Sequence, residues 1–208
     1  MGSATSQKER TEGRALLKAL LGGQEKDALA AADRLIAHFG SLKAAVVAPR
    51  REIARAAGDP IVVQRLVAVR QTMIACLRES IQNRPMIDCT SALLDYLNLA
   101  MSHNSVEQAR ALYLDNRNVL LREEELGNGS VDECPIYVRE VITRALDLGA
   151  SGIILVHNHP SGDPQPSRMD IDLTRRLKAA ARTMDITLVD HLIVAHGNYV
   201  SFRHSNLI

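Results

Sequence analysis

The sequence has no tryptophan, and aromatic residues make up 3% of its 208 positions. A surface that stacks unpaired bases is therefore not expected, because such platforms need several exposed rings. Cysteine is scarce as well: Cys76, Cys89 and Cys134 stand far apart, with no CxxC pair. That excludes a disulfide scaffold and a thiolate zinc site, and it fits reduced thiols in a cytoplasmic setting. No apolar run approaches the roughly 20 residues of a membrane span, and the opening MGSATSQKER lacks an apolar signal core. No membrane association is expected. Neither charge sign dominates, with 25 Lys and Arg against 24 Asp and Glu. The first half is mildly basic and the second mildly acidic, too small an imbalance to announce nucleic-acid binding.

What is present is an ordinary globular composition, 24% charged and 46% hydrophobic, at a length that allows one large domain or two small ones. The texture of the chain favours two, at residues 1–84 and 85–208. From Thr11 to about Ser80 the spacing is helical. Leu29, Ala32, Leu35, Ile36 and Phe39 recur at three- and four-residue steps, which marks one face of a helix. Gly22, Gly40 and Gly58 follow such segments where a C-cap glycine would end them. Pro60 suits the first turn of the next helix. A small all-helical domain is predicted. After the connector IQNRPMIDC, Thr90–Met101 reads as a helix, and ARALYLDNRNVLL reads as two strands around Asp115–Asn118. Residues 123–134 read as a polar loop with a short strand. Pro135–Leu148 is helical in period, and SGIILVHNHP is a strand buried on both faces. Ser167–Met184 forms another helix, and ITLVDHLIVAHGNYVSF closes with two strands. The second domain is predicted to be α/β with a mixed sheet.

The stretch His157-Asn158-His159-Pro160, followed by SGDPQP, Ser167 and Asp170, carries the chemistry. Strand side chains alternate faces, so His157 and His159 emerge on one side. They end a buried strand just before a loop, where α/β folds place their sites. Two imidazoles are half of a metal site, and Asp170 in the first turn of the next helix can complete it. Ser167 with Asp170 three residues on is equally a capping box at the start of that helix. The HxE…PCxxC pattern of zinc deaminases and the HExxH helix of zincins are both absent. A mononuclear site of two His and one Asp remains. Its open position for water is the mark of a catalytic rather than a structural zinc.

The spacing His157-x-His159, Ser167, Asp170 resembles the JAMM (JAB/MPN) metalloprotease motif. With HNHPSGDPQPS, VDHLIV and YVSF, the chain is similar to the bacterial RadC family over residues 86–208. The resemblance implies a JAB/MPN-like α/β domain with cytidine-deaminase-like layering. It also implies Zn²⁺ on His157, His159 and Asp170, with metal-bound water attacking a peptide or isopeptide carbonyl in a protein substrate. The family pattern has an upstream glutamate as general base. Chemistry alone leaves Glu107, Glu123, Glu124, Glu125 and Glu133 open, and the alignment of Glu107 with the first core strand selects it. Ser167 is implied as an oxyanion donor. Asp163 is expected to be a turn residue, His191 a buried residue beside the site, and His196 exposed in a hairpin.

RadC amino-terminal regions resemble helix-hairpin-helix modules, whose glycine turn meets a DNA phosphate. Here Gly58-Asp59-Pro60 places an acid in that turn, and Val62 stands where Lys or Arg would help. Weak DNA binding at most is expected, with packing or oligomerisation the plainer role. The alternative to the hydrolase is a non-catalytic adaptor or DNA-associated protein whose metal is structural.

Overall fold

The computed structural model describes residues 2–86, 90–128 and 136–208. It divides into two compact units, one ending at Ala75 and the other beginning at Cys76. The division falls inside a helix, ahead of the connector from which a boundary at 84/85 was expected.

The first unit is helical: α1 (Gly2–Leu21), α2 (Glu25–Phe39), α3 (Leu42–Val47), α4 (Arg50–Ala57) and most of α5 (Pro60–Ile81). α1 begins well before Thr11; residues 7–12 are exposed and carry no core periodicity from which the sequence could mark the start. Gly40 and Gly58 cap α2 and α4 in the left-handed conformation, at φ 80° and 67°. Each donates its N–H to the carbonyl four residues back, on Ile36 and Ala54, which only a residue tolerant of positive φ does without strain. Leu17, Leu35, Ile53 and Leu66 are fully buried in an apolar core. Val62 belongs to that core at 6% exposure, so it is no place for a phosphate-binding Lys or Arg. The exposed neighbour is Ile61. Asp59 caps α5, accepting from the Ile61 N–H at 2.8 Å. α5 is also long and apolar enough by composition to cross a bilayer, contrary to the sequence expectation. Arg65, Arg70 and Arg78 break its apolar stretch, while Val62, Val63 and Leu66 face the helical core.

The second unit holds α6 (Thr90–Met101), β1 (Gln108–Leu114), β2 (Leu120–Asn128), α7 (Val138–Asp147), β3 (Gly152–Asn158), α8 (Arg168–Thr183), β4 (Thr187–Ala195) and β5 (Asn198–Ser201). The sheet is mixed, in the order β2-β1-β3-β4-β5. Only β3 and β4 pair in parallel; the other neighbours are antiparallel. Asp115 Oδ1 accepts from the N–H groups of Arg117 and Val119, and Asn118 takes φ 61°; together these close the β1–β2 hairpin. β2 runs on through Glu123–Asn128, where the sequence suggested mainly loop. As an edge strand it tolerates acids, and two of them meet arginines: Glu123 pairs with Arg110 at 2.8 Å and Glu124 with Arg144 at 2.6 Å. Every residue of β3 is buried, as its unbroken apolar run requires. β3 and α8 share the interior with α7, through Val141, Ala145, Ile153, Leu155 and Leu177.

Candidate metal centre

Because β3 and β4 run parallel, their carboxyl ends open on one side of the sheet, and the N-termini of β1 and α8 arrive there too. His157 is the penultimate residue of β3, and His159 lies just beyond the strand. The His159 N–H still donates to the Val194 carbonyl on β4 at 3.0 Å, which keeps the residue in line with the strand. The two rings therefore face one way, with centroids 4.9 Å apart. Asp170 enters from the first turn of α8. Its carboxylate approaches His157 Nε2 at 3.2 Å and His159 Nε2 at 3.6 Å, while the two Nε2 atoms stand 3.0 Å apart. Donors each about 2.1 Å from a tetrahedral ion stand about 3.4 Å from one another. The three observed separations bracket that value, so this donor set fits a single divalent cation. Among the described residues, His157, His159 and Asp170 are the one group whose ligand atoms converge in this way.

The surroundings hold each donor in place. Asp163 offers its backbone carbonyl to His159 Nδ1 at 2.9 Å, while its carboxylate accepts from the Gln165 N–H in a turn. Asp163 is thus a turn residue and lies outside the donor set. Asp170 Oδ2 accepts from both the backbone N–H and the hydroxyl of Ser167, each at 2.7 Å, and Ser167 Oγ accepts from the Asp170 N–H at 3.2 Å. The capping box is complete, and its serine proton is directed at the carboxylate. Gly162, at φ 87°, is a glycine for a second reason: a Cβ there would come within 2.5 Å of His196 Nδ1. His196 is exposed, as expected of the hairpin, and stacks on His103 with centroids 5.6 Å apart.

Electrostatics follow from the crowding. Burial pushes the Asp170 carboxyl upward, but the close imidazoles of His157 and His159 and the Ser167 hydroxyl outweigh it and hold the group far below the usual carboxylate range. The bond to Asp170 raises the pKa of His159 against the opposing effect of burial, with the Asp163 carbonyl and the charge of Glu107 adding to it. His191 is fully buried, and burial holds its pKa well below the ordinary histidine value.

Glu107 immediately precedes β1. Ala109 pairs with His157, so continuing the antiparallel register sets Glu107 opposite His159. Asn158 fixes that approach: its side-chain oxygen accepts from the Gln108 N–H at 2.9 Å, and its amide donates to the Val106 carbonyl at 3.1 Å. The two bonds bracket Glu107. The contact spans about fifty residues of sequence, and its only local sign is a buried asparagine between two histidines. The other acids go elsewhere. Glu123 is held by Tyr96, Arg110 and Arg78. Glu124 is held by Arg144, whose bond keeps its pKa below the usual glutamate value. Glu125 pairs across to Arg110 in the ladder and is exposed, and Glu133 lies outside the described residues.

Residues 87–207 match the family model of the RadC-like JAB domain. A UPF0758 protein of Rhodobacter capsulatus is 43% identical over 178 residues, which cover 85% of this chain and 83% of that protein. A second UPF0758 protein, from Ruegeria pomeroyi, is 42% identical over 170 residues, covering 81% and 76%. Both stretches are longer than the matched domain, so the likeness extends into the helical half. The chain belongs to the RadC family, and its JAB domain carries the convergent histidines and aspartate.

Proposed function

We propose that this protein is a zinc-dependent hydrolase of the JAMM type that cleaves a peptide or isopeptide bond in a protein substrate. The observation that supports the reading is the convergence of three donors, with Glu107 just ahead of β1 at the end of the strand that pairs with His157. A structural zinc is closed by four protein ligands, whereas three leave a position for a reactant. His157 Nε2, His159 Nε2 and a carboxylate oxygen of Asp170 would hold the ion. When bound, zinc supplies Lewis acidity, polarising the scissile carbonyl and making a water more acidic. Glu107 takes the proton of the attacking water and passes it to the departing amine. Ser167 Oγ turns its proton from Asp170 to the developing oxyanion. That turn is inexpensive, because the Ser167 N–H still bonds the same carboxylate oxygen. The setting we assign is cytoplasmic, in line with the sparse cysteines, of which Cys76 is free and exposed.

The test is elemental analysis of the purified protein together with a panel of peptide, isopeptide-linked and DNA substrates. About one zinc per chain and hydrolysis of an amide substrate are expected. Glu107→Gln should keep the zinc and lose about 10²–10⁴-fold in rate, since an amide cannot take the proton. Zinc retained without amide hydrolysis on any substrate would leave a non-catalytic adaptor with a structural metal. Full activity in the Gln variant would move the base elsewhere.

A further inference from the structure

Beneath the donor set runs a chain of hydrogen bonds that the sequence pattern does not announce. Thr174 lies one turn after Asp170 on α8, so both project from the same helix face. Thr174 Oγ1 is 2.5 Å from the Asp170 carbonyl and 2.6 Å from His191 Nδ1. His191 Nε2 is in turn 2.8 Å from His157 Nδ1. Thr174 and His191 are fully buried and His157 nearly so, with the His191 ring stacked on Phe202 at 4.5 Å. No water competes for these bonds, so each proton must fall where the chain allows it.

The direction of the chain can be worked out from one end. A carbonyl oxygen only accepts, so the Thr174 hydroxyl donates its single proton to Asp170. Its oxygen is then an acceptor, and His191 must offer it an Nδ1–H. A neutral imidazole carries one N–H, so His191 Nε2 is left with a lone pair. That lone pair faces His157 Nδ1, which must therefore hold the proton of its own ring. The remaining nitrogen of His157, Nε2, keeps its lone pair and points at Asp170 and His159.

We infer that Thr174 and His191 are positioning residues that lock His157 in the Nδ1–H tautomer, so that its Nε2 is ready to bind the metal. The same chain starts from the backbone of Asp170, so two donors are tied to one another through three hydrogen bonds. His159 needs no such relay, since the Asp163 carbonyl receives its Nδ1–H directly. The inference rests on the metal-binding reading above and adds to it how the ligand is prepared. Partners of this kind commonly alter metal affinity by about 10–100-fold.

Two measurements on the full chain test it. The first is nitrogen-15 NMR of the histidine rings in metal-free wild type at mildly alkaline pH. His157 and His191 should both appear as Nδ1–H tautomers, although an unconstrained imidazole favours Nε2–H. The second is zinc titration of Thr174→Val, which keeps the side-chain shape but has neither proton nor lone pair. It should bind zinc about 10–100-fold more weakly and release His191 from its tautomer, and Thr174→Ser should restore both. A wild-type His157 found as the Nε2–H tautomer overturns the relay. So does a Val variant with wild-type zinc affinity and unchanged rings. Correct tautomers in a protein that never binds zinc would uphold the relay and defeat the metal-dependent hydrolase instead.

Discussion

Every buried polar or charged side chain among the described residues, from Ser102 to Ser201, belongs to the sheet-bearing unit. The buried core of the helical unit is built from Leu, Ala, Val and Ile. An apolar core needs only shape, whereas each buried polar group must be matched to a partner or it costs stability. Six of these eight groups fall in two clusters, Ser102 and Asn158 bonding elsewhere, while the buried Tyr113 hydroxyl has no hydrogen-bond partner among the described residues. One cluster is the metal centre with its relay. The other is Asp190, whose carboxylate accepts from the His191 N–H at 2.7 Å, the Ser201 hydroxyl at 2.6 Å and the Arg203 N–H at 3.0 Å. Asp190 and His191 are neighbours on β4, so the second cluster fixes the backbone that carries the relay histidine. Stability in this unit is tied to the positioning of chemistry; in the helical unit it is not.

That contrast predicts failures of different kinds. The largest effect belongs to the donors. His159→Ala should abolish stoichiometric zinc by elemental analysis, whereas Asp163→Ala should retain it, since its contribution to His159 is a main-chain carbonyl. Zinc kept by the His159 variant would remove the metal centre from the comparison. Next come the two cores. Leu35→Ala should cost about 2–5 kcal/mol in denaturant unfolding, as large-to-small changes do when the site cannot collapse. Asp190→Ala leaves three donors unmatched, at about 1–3 kcal/mol for an unsatisfied buried group, and should in addition weaken zinc binding by moving His191. If Asp190→Ala destabilises the protein and leaves zinc affinity untouched, the coupling of the two clusters is wrong.

Acidity separates the metal-free and metal-bound forms more gently. His159 has a raised pKa in the folded protein, so its bond to Asp170 stabilises the metal-free fold fully below the unfolded pKa of about 6.5. That contribution is lost as pH rises through the folded value. Zinc needs the neutral ring, so its affinity should move in the opposite direction, falling as pH drops through the same raised pKa. Thermal melts and zinc titrations over the same pH series check both slopes, and slopes of one sign would exclude His159 as the linked group.

The sequence was most readable where one residue type has one local use. Gly40 and Gly58 ended helices because their positive φ admits little else. The alternation of His157 and His159 on a buried strand foretold a shared face, and Ser167 announced its cap. Readability failed where the deciding contact is distant. Glu123 and Glu124 look like loop until Arg110 and Arg144 arrive from other elements. Val62 stands in the sequence where a Lys or Arg would help a phosphate, although the rotation of α5 turns it into the core and Ile61 outward. His191 was expected beside the site, but its partner Thr174 lies on α8 and nothing in either local pattern joins the two. Asn158 had no reading at all, because its partners lie about fifty residues upstream.

The smallest expected effect concerns the helical unit and nucleic acid. A helix N-terminus attracts phosphate through its free N–H groups. At α5 the Asp59 carboxylate already accepts from Ile61, so a phosphate would meet both a used donor and a negative charge. Wild type should therefore bind duplex DNA weakly, with affinity falling as salt rises, because each neutralised phosphate releases counterions. Asp59→Gly removes the charge at a cost of a few tenths of a kcal/mol, since glycine is itself a tolerable N-cap. The companion change belongs at Ile61, which is 57% exposed, and not at buried Val62. Asp59→Gly with Ile61→Lys should strengthen DNA binding several-fold at low salt and lose that gain at moderate salt. Circular dichroism of the double variant controls for loss of the helix. Tight, steeply salt-dependent binding by wild type would mean that this unit, too, is built around a charged partner, and the contrast between the two units would dissolve. No gain in a folded double variant would mean instead that the α4–α5 turn is not a phosphate site, and that its glycine serves the helix end alone.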